Sequence, residues 1–181
     1  MQQVQTPAAE FHEEQQFRQP WIWFALVIAT VCISVMFIDG LYTQLVLHRP
    51  WGDRPVSDTG LIISAAVSFL ITAGIALLFY KLKLITIVDA NGISIRFFPL
   101  TSKHISFENI ASCEARTYRP IREFGGWGIR FSRKGMAYNV SGNQGVQLEL
   151  KQGKPVLIGS QLPQQLADAI NRHVSRRLQV K

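Results

Sequence analysis

The chain has 181 residues, 48% of them hydrophobic and 17% charged, with a formal net charge of +7. That length accommodates one domain of ordinary size plus a membrane anchor. The basic excess is no argument for nucleic acid, because it belongs to one half only: from Lys81 onward 16 Lys/Arg face 6 Asp/Glu, an asymmetry that membrane topology explains equally well. Two cysteines, Cys32 and Cys113, sit in unrelated settings without Cys or His at ligand spacing, which excludes a disulfide-stapled fold and a cysteine-built metal site.

Residues 1–20 carry Glu10, Glu13, Glu14 and Arg18 and read as a flexible, acidic N-terminal tail. Trp21–Ile38 is then uncharged throughout, and the apolar run continues past Asp39 to Leu47. A second uncharged run spans Gly60–Tyr80. At about 1.5 Å rise per residue each reaches about 27–32 Å, matching a hydrocarbon core about 30 Å thick. In lipid a helix is forced, because each unpaired backbone group costs several kcal/mol. Trp21, Trp23, Trp51 and Tyr80 lie where interfacial aromatics belong. A cleaved signal peptide fits poorly, since the flank is acidic and no small-x-small site follows. The expectation is a two-span hairpin over residues 21–80, with spans of about 21–47 and 60–80.

Lys81 and Lys83 follow the second run directly, whereas Arg49 and Arg54 in the connection are balanced by Asp53 and Asp58. The positive-inside bias places the connection outside and both termini in the cytoplasm, in the inner membrane. Gly60, Ser64, Ser68, Thr72 and Ala76 recur every four residues along the second span. Such a stripe permits close helix packing, either against Ala25 and Ala29 of the first span or, less favoured, in a homo-oligomer. Asp39 reads as an interfacial acid.

After Tyr80 long apolar runs give way to short alternating ones. Leu82–Val88 and Ile93–Phe98 flank Asp89-Ala-Asn-Gly92 as a hairpin. Further strands are expected at His104–Ser106, Ala111–Tyr118, Gly128–Ser132, Met136–Val140, Gly145–Lys151 and Lys154–Gly159, punctuated by glycine-bearing turns as in an antiparallel meander. Pro163–Leu178 switches to helical periodicity, with Leu166, Ala169, Ile170, His173 and Val174 on one face. The fold class is α+β: a transmembrane helical hairpin, then a small antiparallel β-barrel or bent sheet over 81–178 capped by a C-terminal helix.

Ile105-Ser-Phe-Glu-Asn-Ile110, Phe124-Gly-Gly-Trp-Gly-Ile-Arg-Phe131, Ala137-Tyr-Asn-Val-Ser-Gly142, Gly145-Val-Gln-Leu-Glu-Leu150 and Leu157-Ile-Gly-Ser160 resemble bacterial pleckstrin-homology-like (PH-like) domains, which are often tethered behind a transmembrane helix pair. The resemblance covers about Leu82 to Val174. It implies a PH-like fold and a role in assembly or interaction without assigned chemistry. Inositide recognition is not implied, because the first hairpin turns through Asp89-Ala-Asn-Gly92 rather than through Lys and Arg.

Arg116, Arg119 and Arg122 recur every three residues ahead of Trp127 and Arg130. Guanidinium groups beside an aromatic anchor suit lipid phosphates or an acidic protein surface. The competing reading is a solvated loop whose arginines merely obey topology, with Trp127 in the core. No RRM, KH or helix-turn-helix pattern supports nucleic acid. Four histidines, His12, His48, His104 and His173, form no pattern with carboxylate or cysteine, and no catalytic motif occurs. The expectation is a membrane-anchored, non-enzymatic scaffold that needs no cofactor or metal and contacts a protein partner or the anionic membrane surface. The alternative is a membrane-bound enzyme or transporter accessory subunit whose site is assembled from residues distant in sequence.

Overall fold

A computed structural model of the chain describes residues 9–178, with side chains through residue 175. It contains two compact units, one formed by residues 18–80 and the other by the chain on either side of them.

The strand-rich unit begins with β1, Phe11–Gln16. The expected N-terminal tail is therefore corrected: its first eight residues lie outside the described residues, but its second half is a strand paired antiparallel with β2, Lys83–Asp89. Phe11, Glu13 and Gln15 alternate inward, and Gln15 donates to the Gly159 carbonyl at 2.8 Å. The strand escapes hydrophobic patterning because two of its three inward residues are polar and matched to polar partners.

In the helical unit, α1 covers Pro20–Leu41 and continues as one π-helical segment, Tyr42–Val46; α2 covers Asp58–Lys81. Pro20–Val46 and Asp58–Lys81 are both long and apolar enough to cross a membrane, and in each only 11% of the most apolar stretch is buried. That exposure sets them apart from the core helices of a soluble domain, which hide their apolar side chains. Phe37 packs on Leu61 and Ala65, flanked by Ile33, Leu41 and Trp51. The Trp51 ring lies over Gly40, where a Cβ would come within 2.9 Å of it, and its indole N–H donates to Asp39 at 2.9 Å. The Gln44 amide donates to the Val56 carbonyl and to Asp58, both at 2.8 Å. The connection is thus tied down by side chains, and Asp39 has a partner of its own.

The most buried residues of α2 lie beside the small-residue stripe rather than on it. At 3.6 residues per turn, a spacing of four drifts about 40° per step, so five such positions wind through about 160° of the helix surface. Leu61 and Ala65 are the buried pair, while Ser64 is exposed and, like Thr72, donates its hydroxyl to its own helix. Gly60, Ser68, Thr72 and Ala76 are half-buried, and Ala25 and Ala29 of α1 are exposed rather than packed.

Beyond α2, β2 turns through Ala90-Asn91 into β3, Gly92–Phe98, as the hairpin signal predicts, and β4, Thr101–Ile105, completes a sheet ordered β1-β2-β3-β4. Asp89 Oδ1 accepts from the Asn91 and Gly92 amides and holds the turn. A 3₁₀ turn at Phe107–Asn109 leads to a second sheet of β5 (Ile110–Thr117), β6 (Gly128–Ser132), β7 (Gly135–Asn139), β8 (Gln144–Leu150) and β9 (Val156–Gly159), ordered β5-β8-β9-β7-β6. A short helix α3, Pro120–Phe124, lies between β5 and β6. The expected antiparallel meander is not what forms: β9 crosses over to pair parallel with β7, and neither sheet closes on itself.

The last helix, called α4, spans Pro163–Leu178 and packs on β5 and β8 while reaching β1 and β2. Leu166, Ala169 and Ile170 are buried, as the helical periodicity predicts. Its N-terminal approach is fastened by Glu13 of β1, whose carboxylate accepts from the Ser160 hydroxyl at 2.6 Å and the Gln161 amide at 2.8 Å.

Candidate interaction surface

The arginine-rich segment contains a short helix rather than a continuous loop. Pro120 at its first position, where no N–H is needed, starts α3. Gly125 at φ 74° ends it in a left-handed turn, and the Gly125 and Gly126 amides donate to the Ile121 and Pro120 carbonyls. Pro120 and Phe124 are buried; Phe124 meets Tyr118 edge-on, and both pack with Ala137 and Leu157. Beneath them Asn139, fully buried, donates to the Tyr118 hydroxyl and accepts from the Gly128 amide, each at 2.9 Å. One amide side chain thus fixes both flanks of α3.

The five residues singled out from sequence separate into two groups. Arg116 lies on β5 and is half-buried; its guanidinium donates to Glu123 Oε2 at 3.1 Å and to the Gln147 amide oxygen at 3.1 Å. Glu123 also accepts from the Arg119 amide at 2.7 Å and pairs with Lys134 at 3.4 Å, and its side chain is only 12% exposed. Arg116 is therefore a strut. Trp127 is half-buried, with its indole N–H donating to the Gly142 carbonyl at 2.8 Å, and Arg130 donates its Nε to the Trp127 carbonyl. Arg119, Arg122 and Arg130 are exposed, and between the first two lies Ile121 at 71% exposure. No ion pair among the described residues involves Arg119, Arg122 or Arg130. Sequence reasoning missed Ile121 and Glu123; the Glu four residues after Arg119 that returns to cap its amide was the available signal.

Burial works against the Glu123 charge, but the Arg119 amide, Arg116 and Lys134 outweigh it and hold the carboxyl below its usual range. A lowered folded value means stability present above the unfolded value and lost as pH falls through the folded one. Hydrogen exchange at α3 is expected to accelerate as pH drops below the ordinary carboxylate range, beyond its intrinsic pH dependence. Glu123→Gln should already show the faster exchange at pH 7 and lack that acid step; an identical pH profile in both would contradict the strut. Elsewhere, desolvation and then Asp168 push the Cys113 thiol up to about 12, so it is no thiolate nucleophile at neutral pH.

A family of unknown function, DUF6141, matches residues 8–176. The chain belongs to the DUF6141 family. The match takes in β1, both apolar helices and both sheets, so the DUF6141 unit includes the strand ahead of the helices as well as everything behind them. No curated protein and no solved structure matches this DUF6141 chain. Among its described residues no group of three or more His, Cys, Asp or Glu could hold a metal ion.

Proposed function

We propose that the protein is a membrane-anchored, non-catalytic interaction module of the inner membrane, with a PH-like domain on the cytoplasmic side whose α3 wedge contacts the anionic lipid surface. The carrying observation is the outward face of α3: an exposed Ile121 between two arginines that have no carboxylate partner among the described residues. An apolar side chain between two cations suits an anionic interface, where the first enters the acyl boundary and the others meet phosphates. Two sheets with a C-terminal helix packed across their strands support the PH-like reading.

A two-span topology has support independent of charge. Gln16 at the end of β1 pairs with Lys83 at the start of β2, so the chain leaves and rejoins the strand-rich unit at adjacent positions. That adjacency supports a topology in which both flanks of the helical pair lie on one side of the bilayer after two crossings. Sixteen Lys/Arg against six Asp/Glu from Lys81 onward support the reading of that side as cytoplasmic. Tethering raises the effective concentration of the wedge at the bilayer, so weak contacts suffice.

Full-length protein in neutral nanodiscs is expected to bind added vesicles containing phosphatidylserine more tightly than purely zwitterionic ones. Each arginine near such a surface contributes about 1 kcal/mol, so Arg119→Glu with Arg122→Glu should weaken binding at least about tenfold. Ile121→Ser should weaken it further. Equal binding by parent and variants sinks the lipid reading, and a photocrosslinker at position 121 that captures a protein in cells would replace the lipid with that partner.

A further inference from the structure

A cleft of about 410 Å³ opens in the strand-rich unit between the end of β4 and the turns that join β6 to β7 and β8 to β9. Lys103 and Ile105 of β4, Phe131 of β6, Met136 of β7 and Leu150 of β8 are among its lining residues. Phe131 pairs with Met136, and Met136 with Val156, so all three belong to one row across the second sheet. Val156 is fully buried at one end of that row, yet Phe131 at the other end is 76% exposed. Opposite, Lys103 pairs with Ile95 and Ile95 with Thr86, placing Lys103 in a row whose other members are buried. Lys103 is thus half-buried on the inner face of an edge strand, without an ion-pair partner among the described residues.

The rest of the lining agrees. Lys154 adds a second basic group, Ile105 and Leu150 add apolar surface, and no carboxylate lines the cleft among the described residues. Its volume lies within the range of about 300–1,000 Å³ typical of small-molecule sites. We propose that this cleft binds a small carboxylate with an apolar body, the carboxylate on Lys103 with Lys154 beside it and the body against Phe131, Met136 and Leu150. The site is independent of the α3 wedge and survives or fails separately from it.

The probe is 1-naphthaleneacetate, added to full-length protein in nanodiscs and followed by the methyl resonances of its three methionines, Met1, Met36 and Met136. A saturable ring-current shift confined to Met136 is expected. The uncharged analogue 1-naphthaleneethanol should bind about tenfold more weakly, the loss expected when a charge-assisted hydrogen bond is removed. Lys103→Gln should weaken the acid about tenfold and leave the alcohol unchanged, whereas Phe131→Ala should weaken both. If Lys103→Gln does not fold, Lys154→Gln is read in its place for a smaller loss confined to the acid. No saturable Met136 shift, or equal affinity for acid and alcohol, overturns the site and makes Lys103 an inward charge that merely guards an open sheet edge.

Discussion

Replacing Glu13 by alanine is expected to destabilise the strand-rich unit by about 3 kcal/mol, because hydrogen bonds to a charged group contribute about 1.5–3 kcal/mol and buried donors left behind cost more. The Glu13 carboxylate accepts from the Ser160 hydroxyl, the Gln161 amide and the Gln15 side chain, and is 9% exposed. Ser160 in turn accepts from the Leu162 amide just before α4 begins at Pro163. The substitution therefore strikes two distant segments together. Hydrogen exchange on the full chain should lose about a hundredfold of protection in β1 and in residues 161–166 at once. Glu13→Gln, which keeps the shape and one acceptor, should lose less. Loss confined to β1, with the approach to α4 unchanged, would show that the carboxylate does not fasten the helix.

A comparable effect is expected at Asn139. With no exposed surface, it bridges the Tyr118 hydroxyl and the Gly128 amide. Asn139→Ala removes both hydrogen bonds, orphans a backbone N–H and a hydroxyl, and leaves a small void; the sum is about 2–4 kcal/mol. Tyr118→Phe removes one of the two bonds and should cost about 1 kcal/mol. The measurement is thermal or denaturant unfolding of the full chain in nanodiscs, read from the strand signal. Because the bridge holds both flanks of α3, Asn139→Ala should also weaken vesicle binding although it lies beneath the wedge, and Tyr118→Phe should do so less. Vesicle binding that is untouched by Asn139→Ala would mean that α3 keeps its shape without that support.

Much of this architecture is written in local patterns. The switch from uncharged runs to alternation after Tyr80 locates both apolar helices and most strands, and Asp89-Ala-Asn-Gly92 marks the first hairpin because the aspartate caps the turn it begins. Gly128–Ser132 and Pro163–Leu178 match their elements to the residue. What is missed depends on distant partners. The first strand buries Glu13 and Gln15, whose acceptors and donors come from residues 159–161, so no window around them carries a hydrophobic signal. The parallel pairing of Met136–Tyr138 with Val156–Ile158 is likewise invisible to a reading that proceeds turn by turn. At the candidate surface, arginine spacing draws the eye to Arg116, but the single Glu123 decides which arginines remain available.

The placement of the helical pair between two neighbouring strands has a consequence for biogenesis on the proposed topology. The ribosome releases β1 long before β2, so the first strand must wait, unmated, while the greasy segments are threaded into the bilayer. Should the second segment fail to return, its intended mate emerges on the far side and the domain can never be completed. On that topology only a chain that has crossed and come back can bring β1 and β2 together, so completion of this sheet depends on correct insertion.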